Sequence, residues 1–159
     1  MNVQVDVHYA CDDDTAPELP MVQNWIARAV QAVGMDTDTE VSVRIVGADE
    51  IQALNSSFRE KDKPTNVLSF PAGTVAGLPH DMPAPLGDIV ICASVVHSEA
   101  TDQGKAVEDH WAHLLIHGTL HLLGFDHETE SEASEMEALE TRILSEHGIS
   151  DPYGASGET

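Results

Sequence analysis

The spacing of apolar residues changes along this chain, and that change limits the fold more than any other feature. Val3, Val5, Val7 and Tyr9 alternate with Asn2, Gln4, Asp6 and His8, and Val41, Val43 and Ile45 repeat the pattern. A two-residue period puts every apolar side chain on one face of an extended strand. Asp12 to Pro20 is polar and turn-rich. Met21, Val22, Trp25, Ile26, Ala29, Val30 and Val33 then recur three or four apart and stop at Gly34, as in an amphipathic helix closed by glycine. Ile51, Leu54 and Phe58 predict a short helix with an acidic N-cap near Asp49. Asn66–Phe70 is predicted as a third strand ended by Pro71. Asp88–Cys92 is a fourth, apolar on both faces and therefore central. Residues 71–86, rich in proline and glycine, are expected to form a loop. Beyond Cys92 the period is helical, with segments from about Ser94 to Thr101, Ala106 to Leu123 and Ser131 to His147 separated by Gly104 and Gly124. The tail after about 148 is expected to fray.

The resulting order, βαβαββααα, predicts an α+β domain. A small mixed four-stranded sheet would pack with about five helices, the last of them laid on the sheet. A chain of 159 residues suits a single domain, 1–159, with one core. Apolar residues make up 42% and aromatics only 4%, so aliphatic side chains must fill that core. No run approaches the roughly 20 apolar residues that cross a bilayer, and the N-terminus has no basic segment before an apolar stretch. No membrane partner and a cytoplasmic location are expected. Cys11 and Cys92 form no CxxC pair and are expected as reduced thiols, with Cys92 in the core.

The net charge of −21 opposes nucleic acid if taken alone. Its distribution tempers that exclusion. Of seven basic residues, Arg59, Lys61 and Lys63 fall close together, while acids crowd the segment from Glu128 to Glu146. The first group forms either a local positive rim on an acidic body or a solvated loop. The acidic helix is expected to be a solvated face.

The chemistry concentrates in His117-Gly-Thr-Leu-His121-Leu-Leu-Gly124-Phe-Asp-His127. Residues four apart on a helix share a face one turn apart, so His117 and His121 can hold one ion. Gly124 can turn the chain back and return His127 as a third nitrogen ligand. Three neutral nitrogen ligands leave an open position for water on a single zinc ion, which is the catalytic pattern. The spacing is that of metzincin proteases, with one exception: Gly118 stands where those enzymes carry their glutamate base. Peptide hydrolysis loses its proton acceptor, so a zinc-hydrolase-like domain with other chemistry is expected. Asp126 either orients an imidazole or caps the next turn. His113 is either a support for the site or a partly exposed helix residue, with the second expected; the same default applies to His97 and His110.

With glycine at 118, the segment is similar to the signature of the bacterial YbeY endoribonuclease and rRNA maturation factor family. Asn55-Ser-Ser-Phe-Arg59, Lys63-Pro-Thr-Asn-Val-Leu-Ser-Phe-Pro71 and Leu86-Gly-Asp-Ile-Val-Ile resemble it as well. The family usually carries Asp at the position of Asn66 and often Tyr at that of Phe125. The resemblance implies zinc-dependent cleavage of single-stranded RNA, maturation of the 16S rRNA 3′ end and ribosome quality control. It also implies RNA and small-subunit proteins rather than DNA as partners, and catalytic roles for Arg59 and His117. Arg59, Lys61 and Lys63 would then hold the RNA phosphates. Two other readings stay open: a non-catalytic assembly factor with a structural zinc, and a zinc peptidase or small-molecule hydrolase.

Overall fold

A computed structural model describes residues 3–11, 16–34, 38–72, 84–125 and 129–149. The elements are β1 (Val3–Tyr9), α1 (Leu19–Val33), β2 (Thr39–Val46), α2 (Ala48–Arg59), β3 (Val67–Pro71), β4 (Ala84–Cys92), α3 (Ala93–Gln103), α4 (Val107–Leu122) and α5 (Glu130–Ser145). The order is the one that the hydrophobic periods predict.

One sheet holds the four strands in the order β1-β2-β4-β3. β1, β2 and β4 run parallel, and β3 pairs antiparallel on the outer side of β4. β4 is therefore interior, as its two apolar faces require. Val5, Val41, Val43, Ile45, Ile89 and Ile91 turn to one face, where α1 and α4 cover them. Val46, Leu68, Val90 and Cys92 belong to the other face and pack with Ile51 of α2. Sixteen-residue α4 is the keystone of the larger layer. It touches α1, α3, α5, β3 and β4, and Trp111, Leu115, Ile116 and Leu120 are fully enclosed.

Element ends differ from the sequence expectation in three informative places. α1 begins at Leu19, so Pro20 lies inside the first turn rather than in the preceding connection. Proline fits there because that N–H has no intrahelical acceptor. α2 starts after Gly47 with no side-chain cap, and Asp49 and Glu50 sit in its first turn, where they complement the helix dipole without capping. β4 starts at Ala84, within the stretch expected as loop. Its register against β2 shifts between Glu40 and Val41, opposite Pro85 and Gly87. A bulge accommodates a residue with no N–H to give the ladder. Gly87, at φ 138°, is obligatory there, because a Cβ would stand 2.3 Å from the Phe70 carbonyl oxygen. The expected loop at 73–83 and the expected tail from 150 fall outside the described residues.

Candidate metal centre

The site is built on the C-terminal half of α4. His113, His117 and His121 succeed one another at intervals of four and form a ladder along one face of the helix, with ring centroids 6.1 Å and then 4.6 Å apart. The neighbouring face meets the sheet. Gly118 is buried there, its carbonyl accepting from Ser69 Oγ at 3.2 Å. A Cβ on Gly118 would press on Ile89 and Ser69 at 3.2 Å. This gives Gly118 a packing reason: it lets α4 sit against β3 and β4 and so places the histidines. The helix ends in a turn where the Gly124 N–H reaches the His121 carbonyl and the Phe125 N–H reaches that of Leu120, with Gly124 at φ 103°. Phe125 packs against the core.

Two sets of ligand atoms meet on His117. Its Nε2 lies 3.2 Å from Nε2 of His121. Two nitrogens held about 2.0–2.1 Å from one tetrahedral zinc stand about 3.3 Å apart, so this pair has the separation of two ligands of one ion. On the other side of the ring, His113, His117 and Glu140 bring one ligand atom each within 4.8 Å of one another, a group that could also hold a metal. Here the contacts are shorter: His117 Nδ1 is 2.6 Å from Glu140 Oε2, and His113 Nε2 is 3.1 Å from Glu140 Oε1. A 2.6 Å separation is that of a charge-assisted hydrogen bond and is too close for two ligands around one ion. The geometry thus favours metal on the Nε2 side and hydrogen bonding on the Nδ1 side.

The electrostatics agree. Glu140 is fully buried, while the His113 and His117 side chains are 12% and 22% exposed. An isolated carboxylate in such a place costs several kcal/mol, and two imidazole donors offset it. An ionised Glu140 can only accept, which would put the proton of a neutral His117 on Nδ1. That leaves the Nε2 lone pair facing His121.

A second histidine–carboxylate pair sits nearer the start of α4. His110 Nε2 meets Glu99 of α3 at 2.9 Å, and Asn66 Nδ2 donates to the same carboxylate at 3.1 Å. Burial pushes the Glu99 carboxyl up, but the hydrogen bonds from His110 and Asn66 and the charges of His110 and Lys105 outweigh it and hold it below the ordinary 4.5. The network ties the residue preceding β3 to the helix that carries the histidine ladder. At Asn66 an amide supplies a donor to this carboxylate.

The basic segment is ordered against α2. Asn55, 3% exposed, donates from Nδ2 to the Lys63 carbonyl at 2.9 Å, and the Lys61 N–H reaches the Asn55 carbonyl. Glu60 turns the chain at φ 58°, a left-handed conformation unusual for a residue with a side chain. Arg59 is the last residue of α2, and its side chain is outside the described set. Lys61 and Lys63 are exposed.

Of the sequence-predicted ligands, the structure therefore brings His117 and His121 together. His127 and Asp126 lie outside the described residues. His97 is exposed as expected, whereas His110 and His113 are both engaged with carboxylates rather than solvated. Sequence reasoning missed Glu140 altogether. The signal was present: Met136, Glu140, Ile143 and Leu144 form the buried stripe of α5, so one glutamate occupies an apolar position.

These features define an α+β domain with a cluster of histidines that could hold a metal ion, and the comparisons with known proteins name its class. The family described as Endoribonuclease YbeY matches residues 10–148. The chain is 52% identical over 139 residues to the Endoribonuclease YbeY of Halorhodospira halophila (strain DSM 244 / SL1), covering 87% of this chain and 89% of that protein. The solution structure of TM1509 from Thermotoga maritima superposes with a TM-score of 0.56 at 25% identity, covering 94% of this chain and 99% of that one. The chain belongs to the endoribonuclease YbeY family.

Proposed function

We propose that this protein is a zinc-dependent endoribonuclease that cuts single-stranded RNA, acting in 16S rRNA 3′-end maturation and ribosome quality control in the cytoplasm. The observation that carries the reading is the facing pair of Nε2 atoms on His117 and His121, 3.2 Å apart, in a chain of this family. His127 completes the set as third ligand. A zinc ion held there supplies a Lewis acid and an acidified water.

The protein's own groups do the rest. His117 keeps its Nε2 lone pair directed at the ion through the Glu140 contact. Arg59 neutralises charge on the scissile phosphate through its forked guanidinium, and Lys61 and Lys63 extend the contact along the backbone. Gly118 leaves no general base where peptidases carry one, which supports phosphodiester over peptide chemistry. Among the described residues no helix is long and apolar enough to cross a membrane.

The test is zinc-loaded protein with end-labelled single-stranded RNA. Wild type is expected to cleave and His117→Ala to fall to background; cleavage by the variant at the wild-type rate would sink the proposal. The product ends report the nucleophile, since a cyclic phosphate marks attack by the RNA 2′-hydroxyl and its absence marks water. The charge of −21 favours one other reading, an assembly factor that binds basic small-subunit proteins with zinc as a pin. Absent cleavage by wild type, with intact capture of small-subunit components, would select it.

A further inference from the structure

We infer that Glu140 is a positioning residue for the metal centre: it fixes the tautomer and orientation of His117 from the opposite side of the ring. The inference rests on the zinc site of the proposed function and adds to it a residue from a different helix. Three observations carry it. Glu140 is a fully buried carboxylate on the otherwise apolar stripe of α5, a place where charge persists only if it is engaged. Its two oxygens are divided between two imidazoles of α4, with Oε2 2.6 Å from His117 Nδ1 and Oε1 3.1 Å from His113 Nε2. The nitrogen of His117 that Glu140 does not touch is the one that faces His121 at 3.2 Å.

The consequences follow from valence. With Nδ1 protonated toward a carboxylate, a neutral imidazole can offer only Nε2 to a metal. His113, one turn earlier on α4, donates to the other oxygen and keeps the carboxylate from rotating. α5 thus acts on the site without contributing a ligand. An amide at position 140 removes the charge and brings in a donor, and with its NH2 group turned to Nδ1 the His117 proton is left on Nε2, where the metal belongs.

The test uses the full chain as wild type, Glu140→Gln, Glu140→Asp and His121→Ala. Nitrogen-15 NMR of the metal-free protein reads the His117 tautomer, and chelator competition reads zinc affinity. Wild-type His117 is expected as the Nδ1–H form and Glu140→Gln as the Nε2–H form, with zinc affinity lower by about 10–100-fold. Glu140→Asp, which keeps an acceptor, is expected to keep the Nδ1–H form with intermediate affinity. A proton on Nε2 in the wild type overturns the inference even if Glu140→Gln fails to fold. Unchanged tautomer and affinity in a folded Glu140→Gln overturns it too. So does an ion that His121→Ala retains and Glu140→Gln loses, since His113, His117 and Glu140 would then be ligands themselves. Wild type that binds no zinc defeats the preceding functional reading together with this one, whereas zinc binding that ignores Glu140 defeats this one alone.

Discussion

Two histidine–carboxylate contacts of helix α4, those of His110 and His117, look alike on paper and differ in what lies behind the ring. His110 and Glu99 are 2.9 Å apart, and His117 and Glu140 are 2.6 Å apart. His110 is 5% exposed, and its Nδ1 is buried with no hydrogen-bond partner, so nothing can be handed on from that ring. His117 is more open, and its far nitrogen faces His121. The carboxylates contrast in the opposite sense: Glu99 is 32% exposed and shared with Asn66, while Glu140 is fully enclosed. A buried histidine backed by a partly wet carboxylate is an anchor between helices. A partly wet histidine backed by a buried carboxylate is, on the proposal above, a pre-oriented ligand.

Breaking the second pair should be far more costly to chemistry than breaking the first. His117→Ala is expected to abolish the equimolar zinc signal in elemental analysis and RNA cleavage with it, whereas His110→Ala should keep both. The His110 variant should instead lose about 1–3 kcal/mol in denaturant unfolding, since Glu99 is left without its buried donor. Equal loss of zinc in the two variants would erase the distinction.

Gly118→Glu tests whether the glycine beside the first ligand is structural. The introduced side chain meets Ile89 and Ser69, so a loss on the order of 1–3 kcal/mol is expected, with no gain of peptidase activity. A stable variant that cleaves peptides would mean that Gly118 records chemistry rather than packing.

The Glu99 pair should show itself in the pH dependence of stability. The folded carboxyl sits below its ordinary 4.5, so folding releases its proton more readily than the unfolded chain does. Its stabilisation is complete above about pH 4.5 and is lost as pH falls through the folded value. Glu99→Gln should flatten the melting temperature against pH between about 5 and 3. An unaltered slope would show that the anchor carries no charge interaction.

Smaller effects are expected away from both pairs. Lys61→Ala and Lys63→Ala should each reduce the salt slope of RNA binding by about one and leave zinc content alone. Thr129→Ala removes the side chain that accepts from the Glu132 N–H in the capping box of α5 and should cost about 1 kcal/mol of stability. A larger effect on zinc affinity than on stability would show that the start of α5 also helps to seat Glu140.

Much of this molecule is legible from residue order, because local spacing and local geometry coincide. The strands appear where valine and isoleucine alternate, and the nine elements of the described residues come in the expected order. The His117–His121 pair is legible for the same reason, since a four-residue step on a helix is one turn whatever surrounds it. Boundaries were less readable where tertiary pairing overrode composition. Pro85 and Gly87 look like loop residues, yet both stand in β4, because β2 and β3 supply partners and a bulge absorbs the missing donor.

The sequence by itself determined the element order, the glycine-bounded α4 and the two-histidine step on one face of it. It left Glu140 as one of 28 acidic residues and gave His113 no visible partner. Only the packing of α5 on α4 decided those, by removing one carboxylate from water and offering it two imidazoles. Helical periodicity is written in neighbours along the chain, whereas the worth of a charge depends on what excludes water from it, and that comes from residues distant in sequence.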